Sequence, residues 1–304
     1  MDIDVTVKIG KGVLPTPTGA ASGTFGYGDE FAGLYDPSKL GAVYTKAISL
    51  FPREGNPPPR LTETPSGILN AIGLANVGVE AFIEKKLEFL LKQSFATVVN
   101  IAGSSPDEYV RTLCRLSDSG VWGFEINLSC PNVKHGCLAF GTDPHHVENL
   151  TALLRKETDK PLIIKLTPNV TDIGTIAEAA EAGGADAVSL INTLLGMAID
   201  VKTARFKLAN RTGGLSGPAV KPVGVAAVYN VSRRVKIPVI GMGGIMCADD
   251  AVEYLLAGAK AVQIGTGNFI TPGLCDSVYD GIVDYMKEKN LSKIDDFASL
   301  LQDA

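Results

Sequence analysis

The chain has 304 residues, 45% of them apolar, and its 28 basic against 33 acidic side chains leave a formal charge of −5. That apolar share excludes a disordered or fibrous protein, and the acidic balance lacks the basic footprint of a partner for nucleic acid or anionic membrane. Cys114, Cys130, Cys137, Cys247 and Cys275 are odd in number and contain no C-x-x-C pair, which argues against a disulfide framework or structural zinc and for a reducing, cytoplasmic setting.

The first residues, Met1-Asp2-Ile3-Asp4-Val5, carry no signal-peptide pattern, and no later window reaches the ~18 apolar residues of a membrane span. Alternating Ile3, Val5, Val7 and Ile9 predict a small hairpin over 3–14, closing the bottom of the fold. Eight short runs rich in Val, Ile and Ala follow, at 18–23, 42–46, 96–101, 122–128, 161–166, 186–191, 237–241 and 260–264. Most are apolar on both faces, as parallel strands covered on both sides should be. Amphipathic helices are predicted between them over 79–92, 106–118, 144–158, 172–182, 219–234, 248–257 and 273–289, with Lys86 on the wet face of the first. Eight alternating units predict an α/β fold, a (β/α)₈ TIM barrel in a single domain spanning 1–304. The rival, a doubly wound sheet, is disfavoured because no G-x-G-x-x-G follows an early strand. The long connections 47–78, 129–143 and 192–218 follow strands and therefore rise from the C-terminal face, where barrel active sites lie.

Polar residues gather at those strand ends: Lys46, Asn100, Asn127, Cys130, Lys165, Asn192 and Thr193. Each alone reads as a cap or a snorkelling side chain, but a barrel converges them on one mouth. Lys46 and Lys165 in apolar strands need anionic partners, which a bound anionic ligand would supply. Gly241-Met242-Gly243-Gly244 and Gly265-Thr266-Gly267 end the last two strands, where this fold builds phosphate sites. Asp249-Asp250 reads as helix capping and not as a metal site. Cys130 opens a long loop and reads as a thiolate base without a fixed histidine, His135 being a wet loop residue; Cys114 is expected in the core.

The residues resemble the dihydroorotate dehydrogenases along essentially the whole chain. The resemblance is carried by Ala21-Ser22-Gly23-Thr24, Thr45-Lys46-Ala47, Asn70-Ala71-Ile72-Gly73-Leu74, Val99-Asn100-Ile101, Asn127-Leu128-Ser129-Cys130-Pro131-Asn132, Lys165-Leu166-Thr167-Pro168-Asn169, Ile191-Asn192-Thr193, Gly214-Leu215-Ser216-Gly217, Gly243-Gly244 and Gly265-Thr266. It implies an FMN whose phosphate is held by Gly243, Gly244, Gly265 and Thr266. Ser22, Lys46, Ala47, Asn100, Asn127, Lys165, Ile191 and Gly217 would line its ring and ribityl chain. Dihydroorotate would be bound by Lys46, Asn70, Ala71, Ile72, Gly73, Leu74, Asn127, Asn192 and Thr193. Cys130 would take the C5 proton while hydride leaves C6 for the flavin.

Cysteine at 130 in place of serine, without an N-terminal membrane extension, resembles class 1. The stretch Gly214-Leu215-Ser216-Gly217-Pro218-Ala219-Val220-Lys221-Pro222 resembles its B subgroup, although Cys137 stands where a second glycine is expected in the Cys130 loop. That subgroup implies a homodimeric core in an α₂β₂ assembly, with a partner electron-transfer subunit that carries FAD and a [2Fe-2S] cluster and reduces NAD. The A subgroup, a homodimer passing electrons to fumarate, differs in acceptor and assembly only. An RNA-modifying FMN barrel is opposed by the net charge of −5. A phosphate-binding barrel without flavin is the non-catalytic alternative.

Overall fold

The structure, a computed structural model, describes residues 3–128 and 141–303. Eight parallel strands close into a barrel: β1 (Thr18–Ala20), β2 (Ala42–Tyr44), β3 (Ala96–Ile101), β4 (Gly123–Asn127), β5 (Leu162–Lys165), β6 (Ala187–Leu190), β7 (Val239–Met242) and β8 (Ala261–Ile264). Each pairs with its chain neighbours, and β8 closes on β1 through Val262↔Thr18 and Ile264↔Ala20. Every residue of β3 and β5 is buried, as their largely apolar character requires, and the polar Thr97, Asn100 and Lys165 are buried with the rest. The (β/α)₈ expectation therefore holds.

The helix starts follow local chemistry. Ser105 Oγ accepts from the Glu108 N–H at 3.2 Å, and Asp143 and Asp172 cap the next two helices in the same way. These helices, Pro106–Leu116, Pro144–Lys156 and Ile173–Ala182, lie within two residues of their expected bounds. The expected helix over 79–92 instead divides into Val79–Lys85 and Leu87–Leu91. Lys86, at φ −120°, leaves the helical region and reaches Asp29 Oδ2 at 2.6 Å, so it is an ion-pair residue and not a wet-face one. Cys114 is likewise exposed, not in the core.

Val7–Ile9 and Gly12–Leu14 form the expected hairpin, and the close approach of Gly12 to Trp122 places it at the N-terminal end of β4. At the opposite end the structure adds a sheet that the sequence reading leaves as loops. Leu194–Met197, Thr212–Ser216, Gly67–Asn70 and Leu61–Thr64 pair antiparallel in that order. Two long connections thus fold on each other and wall the mouth of the barrel. No helix among the described residues is long and apolar enough to cross a membrane.

Candidate active site

Inward-facing positions of a strand recur every two residues, so Glu125 and Asn127 of β4 share a face. Glu125 is fully buried and gathers donors from four other strands. Oε1 accepts from Ser189 Oγ and Gln263 Nε2, both at 2.8 Å, and Oε2 accepts from Asn100 Nδ2 at 2.6 Å. Lys165 Nζ lies 3.6 Å from Oε2, its side chain 7% exposed. The anionic partner expected for Lys165 is thus supplied by the protein itself. Glu125 escaped the sequence reading because its partners come together only when the barrel closes.

Above this polar floor lies a cavity of 390 Å³, within the range of roughly 300–1,000 Å³ usual for cofactor and small-molecule sites. Ser22, Lys46, Ala47, Asn70, Ile72, Gly73, Leu74, Asn127, Lys165, Ile191, Asn192, Thr193, Gly217, Gly243, Gly244, Gly265 and Thr266 all line it. The structure does not bring two other expected residues to the wall. Asn100 lies in the floor, held by Glu125, and its buried Oδ1 has no hydrogen-bond partner among the described residues. Ala71, 1% exposed, faces Leu69 and Leu208 behind the cap sheet, the opposite side from its neighbours Asn70 and Ile72. Cys130 lies outside the described residues.

Several lining side chains are fixed by each other. Asn192 Nδ2 donates to Asn127 Oδ1 at 3.3 Å, joining the ends of β4 and β6. Asn169 holds the following turn, donating to Thr193 O and accepting from the Leu195 N–H, each at 2.9 Å. Asn70 Nδ2 donates to Gly214 O at 3.2 Å, so a residue of one long connection is fixed by the other. Thr266 Oγ1 donates to Ser216 Oγ at 2.9 Å, tying the end of β8 to the cap sheet.

The cavity wall carries Lys46 and Lys165 and, among the described residues, no carboxylate. The N–H groups of Gly244, Gly265 and Thr266, which lie beyond the strands, donate to no acceptor among the described residues. Unengaged N–H groups on adjoining loops form an anion cradle. Its glycines are required: Gly243 and Gly244 have φ of 121° and 70°, and a Cβ on Gly244 would stand 2.8 Å from Gly217 O. Behind the cradle, Asp250 Oδ2 accepts from the Met246 and Cys247 N–H groups at 2.8 and 3.2 Å, which is capping chemistry. Lys221 meets Asp250 and Glu253, both at 2.7 Å, and these hydrogen bonds hold its ammonium well above the ordinary lysine range. That lysine serves the helix and not the cavity.

The family described as Dihydroorotate dehydrogenase matches residues 5–286. A protein of Pelobacter propionicus, named Dihydroorotate dehydrogenase B (NAD(+)), catalytic subunit, is 51% identical over 99% of this chain and 100% of its own length. A protein of the same name from Thermoanaerobacter sp. is 50% identical over 99% of each chain. A crystal structure of DHODH from Eimeria tenella in complex with ferulenol shares the fold, with a TM-score of 0.82 and 22% identity over 97% of this chain and 88% of the other.

Proposed function

The chain belongs to the dihydroorotate dehydrogenase family, and from that premise we propose that it oxidises dihydroorotate to orotate at the mouth of the barrel, with FMN as its resident cofactor. One observation carries the reading: two lysines, no lining carboxylate among the described residues, and three unengaged backbone N–H groups share one cavity. Both molecules it would receive are anions, one a phosphate ester and the other a carboxylate. The donor set fits them.

Gly243, Gly244, Gly265 and Thr266 would hold the phosphate, the N–H groups of Gly244, Gly265 and Thr266 needing no rearrangement to bind it. Ser22, Ala47, Lys165, Ile191 and Gly217 would line the remainder of the cofactor. When bound, FMN supplies a hydride acceptor, which no side chain can provide. Lys165 presents its ammonium at the cavity floor, where positive charge favours electron uptake. Glu125, 3.6 Å away, lessens the cost of burying that ammonium.

Lys46 would pair with the substrate carboxylate, while Asn127, Asn192, Thr193, Asn70, Ile72, Gly73 and Leu74 hold its amide edges. Because Asn127 and Asn192 are already bonded to each other, little ordering is left for binding to achieve. Cys130 Sγ would remove the proton from C5 as a thiolate. That role rests on the Asn127-Leu128-Ser129-Cys130-Pro131-Asn132 motif.

The electron acceptor is assigned to another chain. The cysteines are too dispersed to ligate an iron–sulfur centre, and no dinucleotide fingerprint follows the first strand. We therefore place FAD and [2Fe-2S] on a partner subunit that reduces NAD, in a cytoplasmic α₂β₂ assembly around a homodimer of this chain. The names of the relatives from Pelobacter propionicus and Thermoanaerobacter sp., with their NAD(+) and catalytic subunit, support the NAD acceptor and the existence of a partner subunit. The FMN-replete chain, given dihydroorotate and an artificial acceptor, is expected to release orotate, read by its ultraviolet absorbance; no orotate would overturn the assignment. NAD reduction by the isolated chain would overturn the need for a partner.

A further inference from the structure

Tyr254 lies on the helix Ala248–Leu256, fully buried behind the loop that follows β7. Its hydroxyl is 2.7 Å from the Gly243 carbonyl oxygen, with Met242 O at 3.2 Å and Lys221 O at 3.5 Å. A phenol has a single proton, and the shortest contact takes it. Burial pushes the phenol far above its ordinary pKa, so the hydroxyl remains a donor. Two neighbours leave room for the ring: a Cβ on Gly224 would collide with the hydroxyl and one on Gly241 with the ring edge.

In the trans peptide joining Gly243 to Gly244, the carbonyl and the next N–H point in opposite directions. Glycines at positive φ carry no side chain that could fix the orientation of this peptide. A carbonyl drawn toward Tyr254 leaves the Gly244 N–H on the other side of the peptide plane. Both glycines line the cavity there, and the Gly244 N–H has no acceptor among the described residues.

We propose that Tyr254 is a positioning residue for anion binding: by holding the Gly243 carbonyl outward, it presents the Gly244 N–H to the phosphate of the cofactor. The inference rests on the reading of the glycine loops as the phosphate site. It adds to that reading a residue that never touches the ligand.

The test compares two flavins that differ by the phosphate alone. The full chain and its Tyr254→Phe variant are stripped of flavin, and binding of FMN and of riboflavin is followed by fluorescence quenching. Loss of one oriented donor should raise the Kd for FMN about tenfold and leave that for riboflavin within about twofold. Equal weakening of both, or of neither, overturns the role of Tyr254. A wild-type chain that binds riboflavin as tightly as FMN overturns the phosphate site itself, a different failure. If the variant does not fold, the wild-type amide resonance of Gly244 decides: it should move when FMN is exchanged for riboflavin, and an unmoved resonance overturns the proposal.

Discussion

Glu125 Oε2 lies 3.6 Å from Lys165 Nζ inside the barrel, and the same carboxylate ties together Asn100, Ser189 and Gln263 from three further strands. Removing one member of a buried pair leaves the other charge uncompensated, which costs about 3–5 kcal/mol. Glu125→Gln is expected to lose roughly 3 kcal/mol in urea unfolding, the lower end because Lys165 borders the cavity. The double variant with Lys165→Met should recover part of that loss. A single variant as stable as the wild type would contradict the pair's role.

Lys46 follows β2 and lines the cavity with no carboxylate beside it among the described lining residues. A hydrogen bond to an ionised group contributes about 1.5–3 kcal/mol, so Lys46→Met should weaken orotate binding by roughly 10- to 100-fold. Isothermal titration with orotate measures this directly. Unchanged affinity would move the carboxylate contact to another residue.

Cys130→Ser replaces a thiol by a hydroxyl that is a far weaker base at neutral pH. Loss of a general base slows proton transfer by about 10²- to 10⁴-fold. Stopped-flow reduction of the bound flavin by dihydroorotate should show that decrease, with orotate binding preserved. Wild-type rates in the variant would remove Cys130 from the mechanism.

Asp172 caps the helix Ile173–Ala182 and meets Arg234, whose guanidinium, with the Thr175 hydroxyl and the Gly174 N–H, draws its carboxyl down to about 2. A folded-state pKa below the unfolded one contributes stability that is present above the unfolded value and lost as pH falls through the folded one. The stability gap between wild type and Asp172→Asn should therefore close between about pH 4 and pH 2. The group is exposed, so salt should also narrow the gap. Thermal unfolding across that window, at low and high salt, checks both.

The barrel was legible because strands covered on both faces read as apolar runs, as in Val239–Met242 and in Leu162–Lys165 up to its closing lysine. Converging strand ends also made most of the cavity legible, since residues as distant as Lys46 and Thr266 share the mouth by topology alone. The cap sheet was not, because its central pairing joins Asn70 to Gly214 across a long separation. A local signal did exist: Leu61–Thr64 and Gly67–Asn70 flank a Pro65-Ser66 turn, a hairpin pattern. Ala71 was misplaced because the strand alternation that sends Asn70 to the cavity sends its neighbour to the other face. Glu125 and Tyr254 act through partners on other elements, and nothing in their own segments shows those partners.

The central claim is tested most directly by anaerobic titration of the flavin-loaded chain with dihydroorotate, without partner or external acceptor, following the flavin absorbance. Bleaching that is complete after about one equivalent of electron pairs per flavin is the predicted result. A flavin that stays oxidised through excess dihydroorotate would contradict the account.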